Sequence, residues 1–433
     1  MCAQIEQISV TALTPWKRNA RKHPKKQVEQ IAASIEAFGF NTPVLIDAAN
    51  RILAGHGRVA AARHLGLDTV PCLRLEHMGE AEARAFVIAD NQLALNAGWD
   101  EDLLAEELEA LLASPDLTFD VSAIGFSVPE LDALIAGGSP AEPNDPADDR
   151  LPDAAGTRCG PGDVWQLGAH RLICGDALDP AVVETLMAGE KARMVFTDPP
   201  YNVPIKGHAG NSGRTRHREF AMAAGEMSPE AFTAFLAGAF GQLTLHSMDG
   251  AIHFICMDWR HLGEVQAAGR EVYSELKNLI VWVKDNGGMG TFYRSRHEMI
   301  LAFKHGTAAH VNSFELGQHG RYRTNVWEYR GVNTRKSGRM DELTLHPTVK
   351  PVQMIEDAIR DVSGRGEIVL DLFGGSGSTL IAAEKTGRRA RLCEIDPVYC
   401  DRIIARWEAY AKDTAVRLDP KPGEDGQVRE AAQ

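Results

Sequence analysis

The sequence has no C-x-x-C pair, and no histidines spaced to complete a metal site around its seven cysteines, Cys2, Cys72, Cys159, Cys174, Cys256, Cys393 and Cys400. That excludes a zinc ribbon or a disulfide framework; it leaves reduced, mostly structural thiols and no expected metal. No apolar run is long enough to span a bilayer, and the opening MCAQIEQISV lacks the basic-then-apolar order of a secretory signal. A cytoplasmic protein with no membrane partner is the expectation. Positive charge is also in deficit, with a formal net charge of −13. Taken as a whole this argues against a polyanionic partner, because phosphate neutralisation by Lys and Arg supplies most non-specific nucleic-acid affinity.

The distribution of charge changes that conclusion. Between Glu76 and Asp153 there are 19 Asp and Glu against two arginines, Arg84 and Arg150. From Arg321 to Lys350 the balance reverses: Arg321, Arg323, Arg330, Arg335, Lys336, Arg339 and Lys350 face only Glu328, Asp341 and Glu342. A basic stripe thus survives on an acidic chain, interleaved with Tyr322, Trp327 and Tyr329.

A chain of 433 residues exceeds one typical core, so more than one folded unit is expected. Residues 1–78 read as a small α/β unit, with a helical segment near Gln27 to Phe38, β runs at Pro43 to Asp47 and Val70 to Leu75, and a glycine-punctuated turn from Ala54 to Arg63. Residues 79–136 read as an acidic helical connector, with Leu103, Leu104, Leu108, Leu111 and Leu112 at helical spacing. Residues 137–158 are rich in Pro, Gly and Asp and read as a flexible linker, and 413–433 as a disordered tail. In the remaining 159–412, β runs at Met194 to Thr197, Ala251 to Cys256, Leu279 to Val283, Met299 to Phe303, Ile368 to Leu372 and Ala390 to Cys393 alternate with helical patterns. This predicts a doubly wound, parallel-rich α/β sheet. Ser228 as N-cap and Pro229 at the first helical position announce one helix, with Phe232, Phe235, Leu236, Ala239, Phe240 and Leu243 on one face.

Asp198-Pro199-Pro200-Tyr201 directly follows the apolar run Met194-Val195-Phe196, placing a carboxylate where open α/β sheets put their sites. Two prolines leave no N–H, so the turn offers carbonyl acceptors and a carboxylate together, an arrangement for gripping an amino group. An exocyclic nucleobase amine is a poor nucleophile because its lone pair is delocalised. Hydrogen bonds to an Asp oxygen and a proline carbonyl let it pyramidalise as it attacks an electrophilic methyl group, with Tyr201 stacking on a base flipped out of the duplex. The plain alternative is a proline-rich turn that ends a strand.

A second strand, Ile368 to Asp371, runs into a glycine-rich turn that includes Phe373, Gly374, Gly375, Ser376, Gly377 and Ser378 and opens a helix. It is not a P-loop, since no Lys follows the last glycine. Glu394 and Asp396 close the next β run, Glu394 being placed to accept from ribose hydroxyls; Asp176 ends another and could accept from a cofactor adenine amine. A glycine turn with an acid is shared by nicotinamide and S-adenosylmethionine folds. The D-P-P-Y turn decides between them.

With these motifs in this order, residues 160–412 closely resemble the β-class of amino DNA methyltransferases, a circularly permuted Rossmann-like fold. The resemblance implies that Asp198, Pro199, Pro200 and Tyr201 are catalytic. It implies that His346-Pro347-Thr348-Val349-Lys350-Pro351 is the H-P-T-x-K-P cofactor segment, through His346, Thr348 and Lys350, and that Asp371 to Ser378 is the S-adenosylmethionine loop, with Leu372 for the usual Pro and Ser378 for the usual Thr. It implies adenine N6 in double-stranded DNA as target, with cytosine N4 as runner-up, and a target-recognition region at about 310–345. Arg214, Arg216 and Arg218 after the catalytic strand, with Arg321, Arg323, Arg335, Lys336 and Arg339, are the expected DNA contacts. A homodimer fits, and no cognate restriction endonuclease is required. The N-terminal unit is similar to ParB/sulfiredoxin-like modules: Ala54-Gly55-His56-Gly57-Arg58 matches the nucleotide box of ParB proteins except that His56 and Gly57 replace charged residues. Anion binding through the turn and Arg58 is the expectation there. A ParB-like DNA-binding protein with an inactive methyltransferase domain is the alternative of a different class.

Overall fold

A computed structural model describes residues 4–114, 119, 121–135, 158–202, 225–285, 287, 292–313, 323–331 and 349–418. The chain divides into two compact units, Met1–Pro140 and Ala141–Gln433. Among the described residues no helix is long and apolar enough to cross a membrane, and Cys72, Cys159, Cys174, Cys256, Cys393 and Cys400 are buried free thiols.

The N-terminal unit runs β1 (Ile5–Ser9), α1 (Lys25–Phe38), β2 (Val44–Ile46), β3 (Ile52–Ala54), α2 (His56–His64), β4 (Thr69–Arg74), α3 (Glu80–Leu95), α4 (Glu101–Ala113) and α5 (Val128–Ile135). Its sheet has the order β1-β4-β2-β3, with β2 parallel to β4 and the other pairs antiparallel. Val44, Ile46, Ile52, Val59, Val70 and Cys72 form the core. Helix α3 is more than a connector: its Ala83 and Val87 close over Trp16 and Leu53. Gly57 serves close helix packing, since a Cβ there would stand 2.9 Å from Ile31 Cδ1 and 3.1 Å from His23 Nδ1.

The second unit runs β5 (Val164–Leu167), β6 (His170–Cys174), α6 (Pro180–Met187), β7 (Ala192–Thr197), α7 (Pro229–Leu245), β8 (Ser247–Met257), α8 (Leu262–Val272), β9 (Glu275–Val283), β10 (His297–Lys304), β11 (Val326–Glu328), α9 (Val352–Val362), β12 (Ile368–Asp371), α10 (Ser378–Lys385), β13 (Arg389–Glu394), α11 (Pro397–Ala411) and β14 (Val416–Leu418). Its ten strands follow the order β11-β9-β10-β8-β7-β12-β13-β6-β5-β14. The central run β8-β7-β12-β13-β6 is parallel, while β10 lies antiparallel between β8 and β9. Alternation splits the strand residues between two cores. Met194 and Phe196 pack with Ile355, Leu380, Ile404 and Trp407 from α9, α10 and α11. Val195 packs with Val183, Phe232, Leu236 and Val265 from α6, α7 and α8. Helices on both faces explain why these strands read as unbroken apolar runs. Helix α7 starts as its sequence indicates, the Ser228 hydroxyl accepting from Ala231 N–H at 3.2 Å.

The expected tail does not begin at residue 413. Strand β14 pairs antiparallel with β5, with Arg417 and Asp163 in an ion pair at 2.9 Å. The linker's residues 137–157 and the tail from 419 on lie outside the described residues.

Tight packing generates a prediction at Gly269 in α8. Helix propensity favours Ala over Gly by about 1 kcal/mol, but a Cβ there would stand 2.4 Å from Phe303 Cζ. That ring is held by Tyr273, stacked at 4.7 Å, so it has little room to yield. Overpacking of about 1–3 kcal/mol therefore wins. Gly269→Ala should lower the urea midpoint; a rise would show that the Phe303 ring can move.

Candidate active site

The acids singled out in the second unit gather at strand carboxyl ends. Asp198 immediately follows β7, Asp371 and Glu394 are the last residues of β12 and β13, and Asp176 follows β6. Strands β7 and β12 are parallel neighbours. From this pair the chain winds outward in both directions, which makes the crevice at their carboxyl ends the topological switch point where such sheets bind ligands.

Asp371 organises this point. One carboxylate oxygen accepts from the Thr197 hydroxyl at 2.7 Å and from Phe373 N–H at 3.1 Å, the other from the Thr379 hydroxyl at 2.7 Å. Burial pushes its carboxyl up to about 7, against these three donors. The glycine turn continues from there, with Gly375 and Gly377 at φ +52° and +79°. Gly375 N–H donates to Glu394 Oε2 at 2.8 Å, and Asp396 N–H to Oε1 at 2.9 Å. Burial pushes Glu394 up to about 7 as well. Behind the turn, Arg406 of α11 donates to the Ser376 carbonyl at 2.8 Å and reaches the Ser378 hydroxyl at 3.2 Å.

A second group surrounds Asp198. Lys350 Nζ donates to Asp198 Oδ2 and lies 3.3 Å from Glu298 Oε2, while Lys284 Nζ donates to Glu298 Oε1. The Tyr201 hydroxyl donates to Asp198 Oδ1 at 2.5 Å and to Glu298 Oε2 at 3.3 Å. Two carboxylates and two ammonium groups thus alternate in a shared, largely buried cluster. Burial pushes the Glu298 carboxyl up, but Lys350 and Lys284 outweigh it and bring it down to about 2. Asp198 stays above its ordinary range: burial and the neighbouring Glu298 raise it, and Lys350 only partly offsets them. Burial alone would discharge Lys350, but the two carboxylates hold its pKa above the usual lysine range.

Residues 192–406 match the family model described as DNA methylase, of the N6/N4 type. The C-terminal domain belongs to this DNA methylase family. Residues 2–92 match the ParB N-terminal domain, and 102–159 the ParB-methyltransferase helix-turn-helix domain. The DNA adenine methyltransferase YhdJ of Escherichia coli (strain K12) is 25% identical over 275 residues, covering 58% of this chain and 86% of that protein. The ParB-like nuclease domain-containing protein YnaK of the same organism is 46% identical over 70 residues, 16% of this chain and 80% of that one. Among solved structures, the M1.HpyAVI-SAM complex shares 18% identity over 55% of this chain and 98% of its own, with a TM-score of 0.38. The cytosine-N4-specific PvuII DNA methyltransferase shares 13% over 60% and 98%, with a TM-score of 0.42.

Several expected residues of the methylase domain stand differently from their sequence reading. Lys350, expected to hold cofactor, points to Asp198 and Glu298. Asp371 turns both oxygens onto its own fold, and Asp396 caps α11 by accepting from Val398 N–H at 2.9 Å. Asp176 caps its turn, accepting from Leu178 N–H at 2.9 Å. Tyr201 has Lys350 Nζ over its ring at 5.3 Å and packs against both hydrophobic cores. Arg323 is not on a DNA-facing stripe: it is half-buried, lies over the Trp327 ring and donates to Asp361 at 3.0 Å and Tyr329 at 2.8 Å. In the N-terminal unit Arg58 donates to the carbonyls of Thr42 and Pro43 at 2.7 and 3.0 Å rather than lying open to an anion. His346, Thr348, Arg214, Arg216, Arg218, Arg321, Arg335, Lys336 and Arg339 lie outside the described residues. Sequence reasoning missed Glu298, Lys284, Thr197, Arg406 and Asn202; the last accepts from Gly225 and Met227 N–H at 3.1 and 3.2 Å.

Thr197→Val keeps shape but removes one donor from Asp371. It should destabilise the domain by about 1–3 kcal/mol. The Asp371 carboxyl, at about 7, is neutral below that pH and charged above it. Losing a donor to the charged form must therefore hurt more on the alkaline side. Urea unfolding on either side of neutrality checks this, and an equal or smaller loss at high pH would contradict it.

Proposed function

We propose that this chain transfers the methyl group of S-adenosylmethionine to the exocyclic N6 of adenine in double-stranded DNA, acting on a base flipped out of the helix. The observation that carries this reading is the Asp198 carboxylate at the end of β7, one strand from an acid-lined glycine turn and tied to it through Thr197 and Asp371.

The turn suits this cofactor. Glu394 and Asp176 offer acceptors for ribose hydroxyls and an adenine amine, and the glycine backbone allows close approach. Arg406 donates to the loop's own Ser376 carbonyl, and the carboxylates Glu394 and Asp176 beside the turn favour a cationic ligand over an anionic pyrophosphate. When bound, S-adenosylmethionine supplies an electrophilic methyl group on a cationic sulfonium, which acidic surroundings favour.

Asp198 accepts one amine N–H of the target, and a proline carbonyl of the turn accepts the other. Both bonds localise the lone pair on nitrogen. The proton displaced from that nitrogen has Asp198 as its nearest acceptor. Tyr201, whose pKa burial holds well above the usual phenol range, keeps its proton and fixes the other Asp198 oxygen. An incoming amine must share Asp198 with Lys350. Because Lys350 also faces Glu298 at 3.3 Å, it keeps a carboxylate partner when Asp198 engages the amine, and avoids the large penalty of an unpaired buried charge. Glu298 is thus a positioning residue.

Incubation with methyl-labelled cofactor and mixed genomic DNA, followed by nucleoside analysis, should give labelled N6-methyladenine. N4-methylcytosine would overturn the adenine assignment alone. Asp198→Ala should lower kcat at least about 100-fold while cofactor binding persists; retained activity would defeat the mechanism. Glu298→Gln should lower kcat by about 10- to 100-fold through misplacement. It should also move the acid limb of the pH profile downward, since Glu298 raises the Asp198 pKa. A fall in kcat with the limb unmoved would reduce Glu298 to a purely structural part.

A further inference from the structure

We propose that segment 17–26 of the N-terminal unit is a sequence-independent grip on the phosphate backbone of duplex DNA, and that the matched helix-turn-helix segment is not. The proposal takes DNA as substrate from the methylase family and does not depend on which base is methylated.

Residues 4–75 hold ten Lys and Arg against five Asp and Glu. Six of the ten, Lys17, Arg18, Arg21, Lys22, Lys25 and Lys26, fall within 17–26, and no acid occurs between Glu6 and Glu29. The other four are engaged inside the fold. Arg51 pairs with Asp47 and with Glu80 at 3.0 Å, and Arg74 with Glu6 at 2.9 Å. Arg58 donates to the carbonyls of Thr42 and Pro43, and Arg63 reaches those of Val10 and Leu13 at 3.5 Å. Within 17–26, among the described residues, Lys25 alone has an ion pair, at 3.4 Å to Glu29, and its side chain is 89% exposed. Lys17, Arg18, Lys22 and Lys26 are exposed as well.

The backbone carrying these cations is fixed at both ends. Trp16 is buried beneath the Arg51 guanidinium, 4.7 Å from its ring, and its backbone N–H donates to His56 Nε2 at 3.1 Å. Asn19 closes the turn, its N–H donating to the Trp16 carbonyl at 3.0 Å and its side chain accepting from Arg21 N–H at 3.1 Å. Helix α1 then begins at Lys25. Six like charges held on a braced segment repel one another in the free protein, and a polyanion relieves that repulsion.

The helix-turn-helix match at 102–159 has the opposite character. From Arg84 to Arg150 no Lys, Arg or His intervenes, and Asp102, Glu106, Glu107 and Glu109 of α4 are exposed. Phosphate contacts are what seat such a motif on a duplex, and this one would meet phosphate with acid.

The test is the salt dependence of full-length protein binding to a fluorescent duplex lacking any methylated site. Combining Lys17→Ala, Arg18→Ala, Lys22→Ala and Lys26→Ala should flatten the slope of log K against log salt by roughly 3 to 4 and weaken low-salt binding at least about tenfold. Methylation at saturating DNA should be unchanged. Swapping the same lysines for arginine, and Arg18 for lysine, should keep the slope, which separates charge from misfolding. Combining Asp102→Asn, Glu106→Gln, Glu107→Gln and Glu109→Gln should leave binding within about twofold if α4 does not sit on phosphate. An unchanged slope in the alanine variant, or a large gain in the α4 variant, overturns the proposal. If the parent protein neither binds nor methylates DNA, it is the methylase reading that falls.

Discussion

The hydrogen bonds on the Asp371 carboxylate hold together the strand ends, glycine turn and helix start that form the second unit's candidate site. Thr197 and Asp371 lie 174 residues apart in the chain, yet their side chains meet at 2.7 Å where β7 and β12 end. The same carboxylate receives the Thr379 hydroxyl at the start of α10 and Phe373 N–H within the glycine turn. One buried acid therefore sets the height of the D-P-P-Y turn relative to the glycine turn. An ionised carboxylate in that position survives only because three donors face it, so the two hydroxyls are as necessary to the geometry as the acid.

Alternating charge solves a different problem beside Tyr201. An isolated buried carboxylate would be expensive, and a buried carboxylate with a single ammonium would be locked into that pair. With Asp198, Lys350, Glu298 and Lys284 in sequence, each inner charge has two opposite neighbours. Either partner can loosen its hold without leaving the other unpaired. In the proposed mechanism Asp198 exchanges an ammonium for a substrate amine and needs that property, and Glu298 provides it from a strand that is antiparallel to its neighbours.

Much of this was readable in the sequence. Buried parallel strands appear as apolar runs, and each of Asp198, Asp371 and Glu394 stands where such a run stops, so strand positions and acids could be found together. Burial of the Thr197 side chain could not, because a Thr ending a strand is ordinary. Glu298 was hidden for a related reason: His297-Glu298-Met299 opens a strand, and no spacing links residue 298 to 198, 284 and 350, which only the sheet order brings together. Arg323 shows the converse failure. A basic stripe signals DNA by composition, but composition cannot tell an exposed cation from one folded onto Asp361 and Tyr329. Gly57 looked like a lost charge in a nucleotide box; its neighbours Ile31 and His23 show it is a packing requirement.

Charge segregation reconciles an acidic chain with a nucleic-acid substrate. At physiological salt, screening acts over about 8 Å, so a net charge of −13 is not what a phosphate senses. It senses the nearest patch. This chain sorts its charges along the sequence, with cations prevailing before residue 75, acids alone from Arg84 to Arg150, and cations again from Arg321. A net negative charge therefore does not exclude a phosphate-binding surface on a segment where cations prevail. Sequence recognition is a separate matter, because contacts to the phosphate backbone position a duplex and carry no base information.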